Sequence, residues 1–152
     1  MNVKYFINFL YELFLTIKMD YLSTLPPDLL RETASSLPPD DVIKLIADPD
    51  LNKILNDQFW KNKIKSDFSD KPVSANLSYK KNYIRNIILD MEYETQKLPS
   101  RIRSIVASYG DDLSIYSAKD IDEMADKIKD IANEMKINEE KIKSLKKLFR
   151  SI

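Results

Sequence analysis

A single glycine, Gly110, stands in 152 residues. Tight β-hairpin turns and glycine-cradled phosphate loops need backbone at positive φ, which glycine alone adopts without steric cost. A chain this poor in glycine disfavours all-β and glycine-looped α/β folds, and an all-α fold class follows. Its seven prolines take over the punctuation. The residue before a proline is pushed out of the helical region, while a proline in the first turn of a helix loses no intrahelical hydrogen bond. The length fits one domain, or a small module with an appendage, around one modest core.

The chain contains no cysteine and no histidine. That excludes a disulfide framework, a thiolate nucleophile, a cysteine- or histidine-built zinc site and an imidazole base. The carboxylate pairs Asp40-Asp41 and Asp111-Asp112 sit where a helix start or a loop explains them. No catalytic residue, cofactor site or metal site is therefore expected, and the chain is read as a non-enzyme. With 24 basic and 24 acidic residues it has no global field to attract nucleic acid.

Residues 1–18 form an apolar N-terminal helix or an upstream extension. Tyr5, Phe6, Phe9, Leu10, Leu13, Phe14 and Ile17 give a wide apolar face, but Asn8 and Glu12 interrupt a run too short for the roughly 17 to 25 residues of a spanning helix. Packing of this face is favoured over a true start at Met19, and both over membrane contact through residues 4–18.

Residues 20–68 carry the strongest pattern. Pro26-Pro27 can open a helix whose apolar positions are Leu29, Leu30, Ala34 and Leu37, with Thr33 on the same face. Leu37-Pro38-Pro39 stops it. Asp40 and Asp41 then start a second helix, favoured there by the helix dipole, with Val42, Ile43, Leu45 and Ile46 as its buried face. Asp48-Pro49-Asp50 interrupts again, and Leu51, Ile54 and Leu55 continue at helical spacing to Phe59-Trp60, Ile64 and Phe68. Three short helices and a closing turn result, with too little core to be very stable alone.

The order Leu25-Pro26-Pro27-Asp28-Leu29-Leu30, then Leu37-Pro38-Pro39-Asp40-Asp41-Val42, Leu45 and Phe59-Trp60-Lys61 resembles the F-box motif. Tyr79-Lys80-Lys81-Asn82-Tyr83 is similar to the Trp-Lys-x-x-Tyr helix that often follows it. Thr33, Asp28 and Pro49 depart from the commoner pattern. The resemblance implies a three-helix module that docks on the Skp-family linker protein of a cullin ubiquitin ligase through Leu25, Pro26, Leu29, Leu30, Val42, Leu45 and Trp60. It also implies that the rest of the chain holds a protein target. The setting would be the cytoplasm or nucleus of a eukaryotic or virus-infected cell, and the richness in Lys, Ile and Asn suits an AT-biased genome such as that of a large DNA virus.

Residues 69–76 read as a linker and residues 77–152 as a helical C-terminal region. One helix from Tyr79 ends before Leu98-Pro99, and a shorter one from Ser100 ends at Gly110, well placed as a left-handed cap. Ser117-Ala118-Lys119-Asp120 is a capping-box signature. Behind it Ile121, Ile128, Met135, Ile142 and Phe149, each followed three positions later by Met124, Ile131, Asn138, Leu145 and Ile152, form a heptad seam. A parallel homodimer is disfavoured because Glu134 would face Glu139, and Lys141 would face Lys146, across it. One long helix packed on the chain's own helices or on a different partner fits better, a break near Asn138 being the alternative. The seam also supports a competing reading of the whole chain, as a structural or oligomerising helical protein.

Overall fold

The computed structural model describes residues 21–152, so the expectations for residues 1–18 lie outside the described residues. These form an all-α structure with no strand among them. The elements in order are α1 (Pro27–Ser35), α2 (Pro39–Ala47), α3 (Pro49–Ile54), α4 (Asp57–Asp67), α5 (Tyr79–Tyr109), a 3-10 turn (Leu113–Ile115) and α6 (Ala118–Ser151). Two compact units divide between Tyr83 and Ile84.

In the first unit each of the first three helices begins with proline at its first helical position; the Pro-Pro pairs predict this for α1 and α2, whereas Asp48-Pro49-Asp50, expected only to interrupt, itself opens α3. Asp48 then caps α3 by accepting from the amides of Asp50 and Leu51 at 2.9 and 3.2 Å. The predicted run from Leu51 through Trp60 is not continuous. Leu55 is extended, and Asn56 caps a separate helix by accepting from the Phe59 amide at 2.9 Å. Asparagine competes well for that role because its side chain replaces the missing turn of backbone acceptors. Among the described residues the module thus contains the four helices α1 to α4 instead of three and a turn.

Helix α1 packs on α3 and α4, and α2 packs on α3. The core comprises Leu22, Leu30, Ala34, Leu37, Val42, Leu45, Ile46, Leu51, Leu55, Phe59, Trp60, Ile64 and Phe68. Thr33 is half-buried, so its hydroxyl needs no compensating core partner. Arg31 ties two helices together, its Nε donating to the Ile54 carbonyl at 2.9 Å while its Nη1 meets Asp28 at 2.7 Å.

Part of the segment read as a linker, residues 69–76, is anchored to α5 through Ser74. The fully buried Asn82, on the first turn of α5, accepts from the Ser74 amide at 2.8 Å and donates to the carbonyls of Ser74, Leu77 and Ser78 at 3.0 to 3.1 Å. Its amide group is saturated by the segment it holds. The unit closes on Tyr83, whose ring lies 5.4 Å from Trp60 and 5.3 Å from Phe68.

The second unit, Ile84–Ile152, contains the rest of α5, the turn and α6. Helix α5 runs unbroken through Pro99, against the predicted stop at Leu98. A proline costs a helix one hydrogen bond and a steric clash, roughly 3 kcal/mol. Here an apolar stripe continues on both sides of it: Ile88, Met91, Thr95, Leu98, Ile102, Ile105 and Tyr109 recur at alternating steps of three and four, and all are buried or half-buried. Packing along seven positions outweighs one broken bond.

That stripe meets the α6 seam. Ile105 and Ile131 line one cleft, and Thr95 and Ile142 another. Stepping in opposite directions from these contacts sets Ile102 opposite Met135, Leu98 opposite Asn138 and Met91 opposite Leu145, an antiparallel helical hairpin. Arg101 meets Glu134 at 3.4 Å and Lys146 meets Glu92 at 2.6 Å. The acidic stretch of α5 thus lies by the basic end of α6, and its basic stretch by the acidic part, which specifies the antiparallel arrangement although each exposed pair contributes under about 1 kcal/mol.

Helix α6 is one helix through Asn138, so the alternative of a break there does not occur. It opens on the predicted capping box: Ser117 Oγ accepts from the Asp120 amide at 3.2 Å, and Asp120 Oδ2 accepts from the Ser117 amide at 3.0 Å. Gly110 has φ +70°, the only positive φ among the described residues, and its amide donates to the Ala107 carbonyl at 3.1 Å. It ends α5 in the left-handed conformation that its sequence position predicts.

Candidate partner-docking site

The seven residues expected to meet a partner separate into two groups. Leu30, Val42, Leu45 and Trp60 are interior, each at 1% exposure or less. Their side chains hold α1, α2 and α4 together and have no surface to offer. Leu25 is half-buried, Pro26 is exposed, and Leu29 is 50% exposed. The division follows from helical geometry. Leu30 and Ala34, four apart, share the inward face of α1, which rotates the adjacent Leu29 outward by about 100°.

Pro26, Pro27 and Leu29 therefore form an uncovered apolar end on α1. Pro26 precedes the helix with φ −54° and ψ 148°, and no side chain caps it. The fixed proline backbone presents this end rigidly.

At the opposite end of α1 lies a polar network that residue spacing alone does not reveal. Lys63 is only 3% exposed. Its Nζ donates to the carbonyls of Ser35 and Leu37 at 2.9 and 2.6 Å and meets Asp67 Oδ2 at 3.1 Å. Ser35 is the last residue of α1 and Leu37 follows its cap, so the ammonium sits at the helix C-terminus, where a cation is favoured. Asp67 Oδ2 in turn accepts from the Tyr83 hydroxyl at 2.7 Å. The spacing of Lys63 and Asp67, four apart on α4, was legible in sequence. Their burial was not.

Burial, reinforced by the hydrogen bond to Asp67, pushes the Tyr83 hydroxyl well above its ordinary pKa of 10.0. The folded state thus favours the protonated phenol, whereas the unfolded chain ionises near pH 10. The stability this contributes is intact below about pH 10 and falls as pH rises beyond it, by up to about 1.4 kcal/mol per pH unit. Urea midpoints between about pH 9 and 11 should fall less steeply for Tyr83→Phe than for the unaltered chain. Parallel slopes would mean that Tyr83 ionises freely in the folded state.

Among the described residues no group of three or more histidine, cysteine or acidic side chains is placed to hold a metal ion. No helix among them is long and apolar enough to cross a membrane. Comparison with family models, curated proteins and solved structures finds no match for this chain.

Proposed function

We propose that this chain is an F-box-like adaptor. Its first unit docks on a Skp-family linker of a cullin ubiquitin ligase, in the cytoplasm or nucleus, and the helices of residues 77–152 recruit a protein target. The observation that carries the reading is the uncovered apolar end of α1, Pro26, Pro27 and Leu29, with the half-buried Leu25 beside it, lying in the Leu-Pro-Pro-Asp-Leu-Leu stretch that resembles the motif. A small helical unit with a surplus leucine at a rigid helix start offers a partner an anchor at low entropic cost.

The test is co-expression with a eukaryotic Skp-family linker and size-exclusion chromatography. A one-to-one complex is expected, with Leu29→Asp weakening it at least about thirtyfold by titration calorimetry, the loss typical of a central anchor. Because Leu29 is half in solvent, that variant should keep its thermal midpoint, whereas any charge at Leu30 would unfold the unit. A folded protein eluting apart from the linker would refute the adaptor reading.

The competing reading, a structural or oligomerising helical protein, draws on the unbroken heptad helix α6. Pairing of that seam with α5 within the same chain leaves less of it for a second molecule. A monomeric full chain in size-exclusion chromatography is therefore expected, whereas the competing reading requires a dimer or higher oligomer.

A further inference from the structure

Helix α4 carries a second surface on the side away from the Lys63 network. Lys61, Ile64, Lys65 and Phe68 recur at the spacing of one helical face. The segment after α4 folds back beside it to make a groove of about 540 Å³, within the size range of ligand clefts. Ile64 and Phe68 form the buried floor, Val73 at 47% exposure and Tyr79 form a wall, and Lys61, Lys65 and Lys71 stand at the rim.

Two features separate this groove from the other clefts. Among the described residues its lining contains no carboxylate, whereas the clefts at Arg31, Glu92 and Arg101 each mix both signs of charge. Asp67 of α4 is turned to Lys63 and Tyr83, and Asp70, between the lining residues Ser69 and Lys71, is exposed and not itself part of the lining. Its wall is also held in advance: Asn82 bonds residues 74, 77 and 78 through all its amide valences, and the Lys71 amide donates to the Phe68 carbonyl at 3.0 Å. A loop ordered before binding loses little entropy when a ligand arrives.

We propose that this groove binds an acidic peptide segment bearing an aliphatic or aromatic side chain. The apolar side chain lies on Ile64, Phe68 and Val73, and flanking carboxylates meet Lys61 and Lys65 at the rim. A concave, apolar-floored cleft favours such a peptide over nucleic acid, whose phosphates call for an extended basic track, and over a lipid surface, which calls for a protruding face. Binding does not depend on linker docking. That the peptide belongs to a recruited target is the part that rests on the adaptor reading.

The experiment uses the full chain and a fluorescein-labelled peptide, Asp-Glu-Leu-Phe-Glu-Asp, followed by fluorescence anisotropy. Saturable binding is expected, weakened at least about tenfold by combined Lys61→Glu and Lys65→Glu and similarly by replacing the peptide's Leu-Phe with Ser-Ser. Val73→Asp should also weaken it, and all variants should keep the parent thermal midpoint because these side chains are exposed. Absence of saturation below about 1 mM, indifference to the lysine changes, or equal affinity for the Ser-Ser peptide would overturn the proposal. So would tighter, lysine-dependent binding of a poly-dT oligonucleotide or of phosphatidylserine vesicles. Linker co-elution of the Lys61/Lys65 variant reports separately on the adaptor reading.

Discussion

Trp60→Ala is expected to remove about 3–5 kcal/mol from the stability of the first unit, enough to leave so small a core largely unfolded. The indole is 1% exposed and is the largest side chain in the interior. It lies edge-on to Phe59 at 4.9 Å and 5.4 Å from the Tyr83 ring, and its Nε1 donates to the Leu55 carbonyl at 3.2 Å. That carbonyl sits at the break between α3 and α4, where the backbone has left the helix and the acceptor would otherwise be buried unpaired. Truncation therefore opens a cavity, dissolves two aromatic contacts and orphans an acceptor together. Because the chain has one tryptophan, its own fluorescence cannot follow the variant; urea unfolding by circular dichroism at 222 nm can. Trp60→Phe, which keeps most of the ring volume, should lose markedly less. A loss below about 1 kcal/mol for the alanine variant would show that the unit does not depend on this packing.

The second large effect is at Lys63. Replacing it with methionine keeps the apolar stem but removes the ammonium that satisfies the Ser35 and Leu37 carbonyls and balances Asp67. Breaking a buried pair from one side leaves an uncompensated charge, and a loss of about 3–5 kcal/mol is expected. Asp67→Asn in the Lys63→Met background should restore part of it, since an amide needs no counter-charge and can still accept from the Tyr83 hydroxyl. A double-mutant cycle measures this coupling directly. Additive losses would mean that the three groups act independently, and a small loss for Lys63→Met alone would place Lys63 among ordinary surface lysines.

Much of the architecture was legible because it rests on local rules. Prolines at positions 26, 38 and 49 each end one conformation and admit a helix behind them. Gly110 and Ser117 bracket the turn between α5 and α6 with backbone chemistry that few other residues supply. The heptad seam of α6 needs only its own spacing to be seen. The errors came where a local rule lost to packing or to a competing cap. Pro99 ought to stop a helix, and in isolation it would; the stripe from Ile88 to Tyr109 carries α5 across it. Apolar spacing ought to join Leu51 to Trp60, but Asn56 offers a better acceptor for the start of a new helix.

The candidate site divides along the same line. Sequence marked the whole set of Leu25, Pro26, Leu29, Leu30, Val42, Leu45 and Trp60 without separating core from surface, because adjacent leucines look alike until a helix is rotated against its neighbours. By itself the sequence determined the helical class, most helix boundaries and the α6 seam, all consequences of φ preferences, caps and periodicity within a few residues. Only the tertiary structure decided that Leu29 faces out while Leu30 faces in, that Lys63 is buried on the end of α1, that Asn82 holds Ser74, Leu77 and Ser78, and that the α6 seam pairs with the chain's own α5. Those outcomes depend on which distant surfaces exclude water from one another, and burial is a property of the assembled fold that residue spacing does not contain.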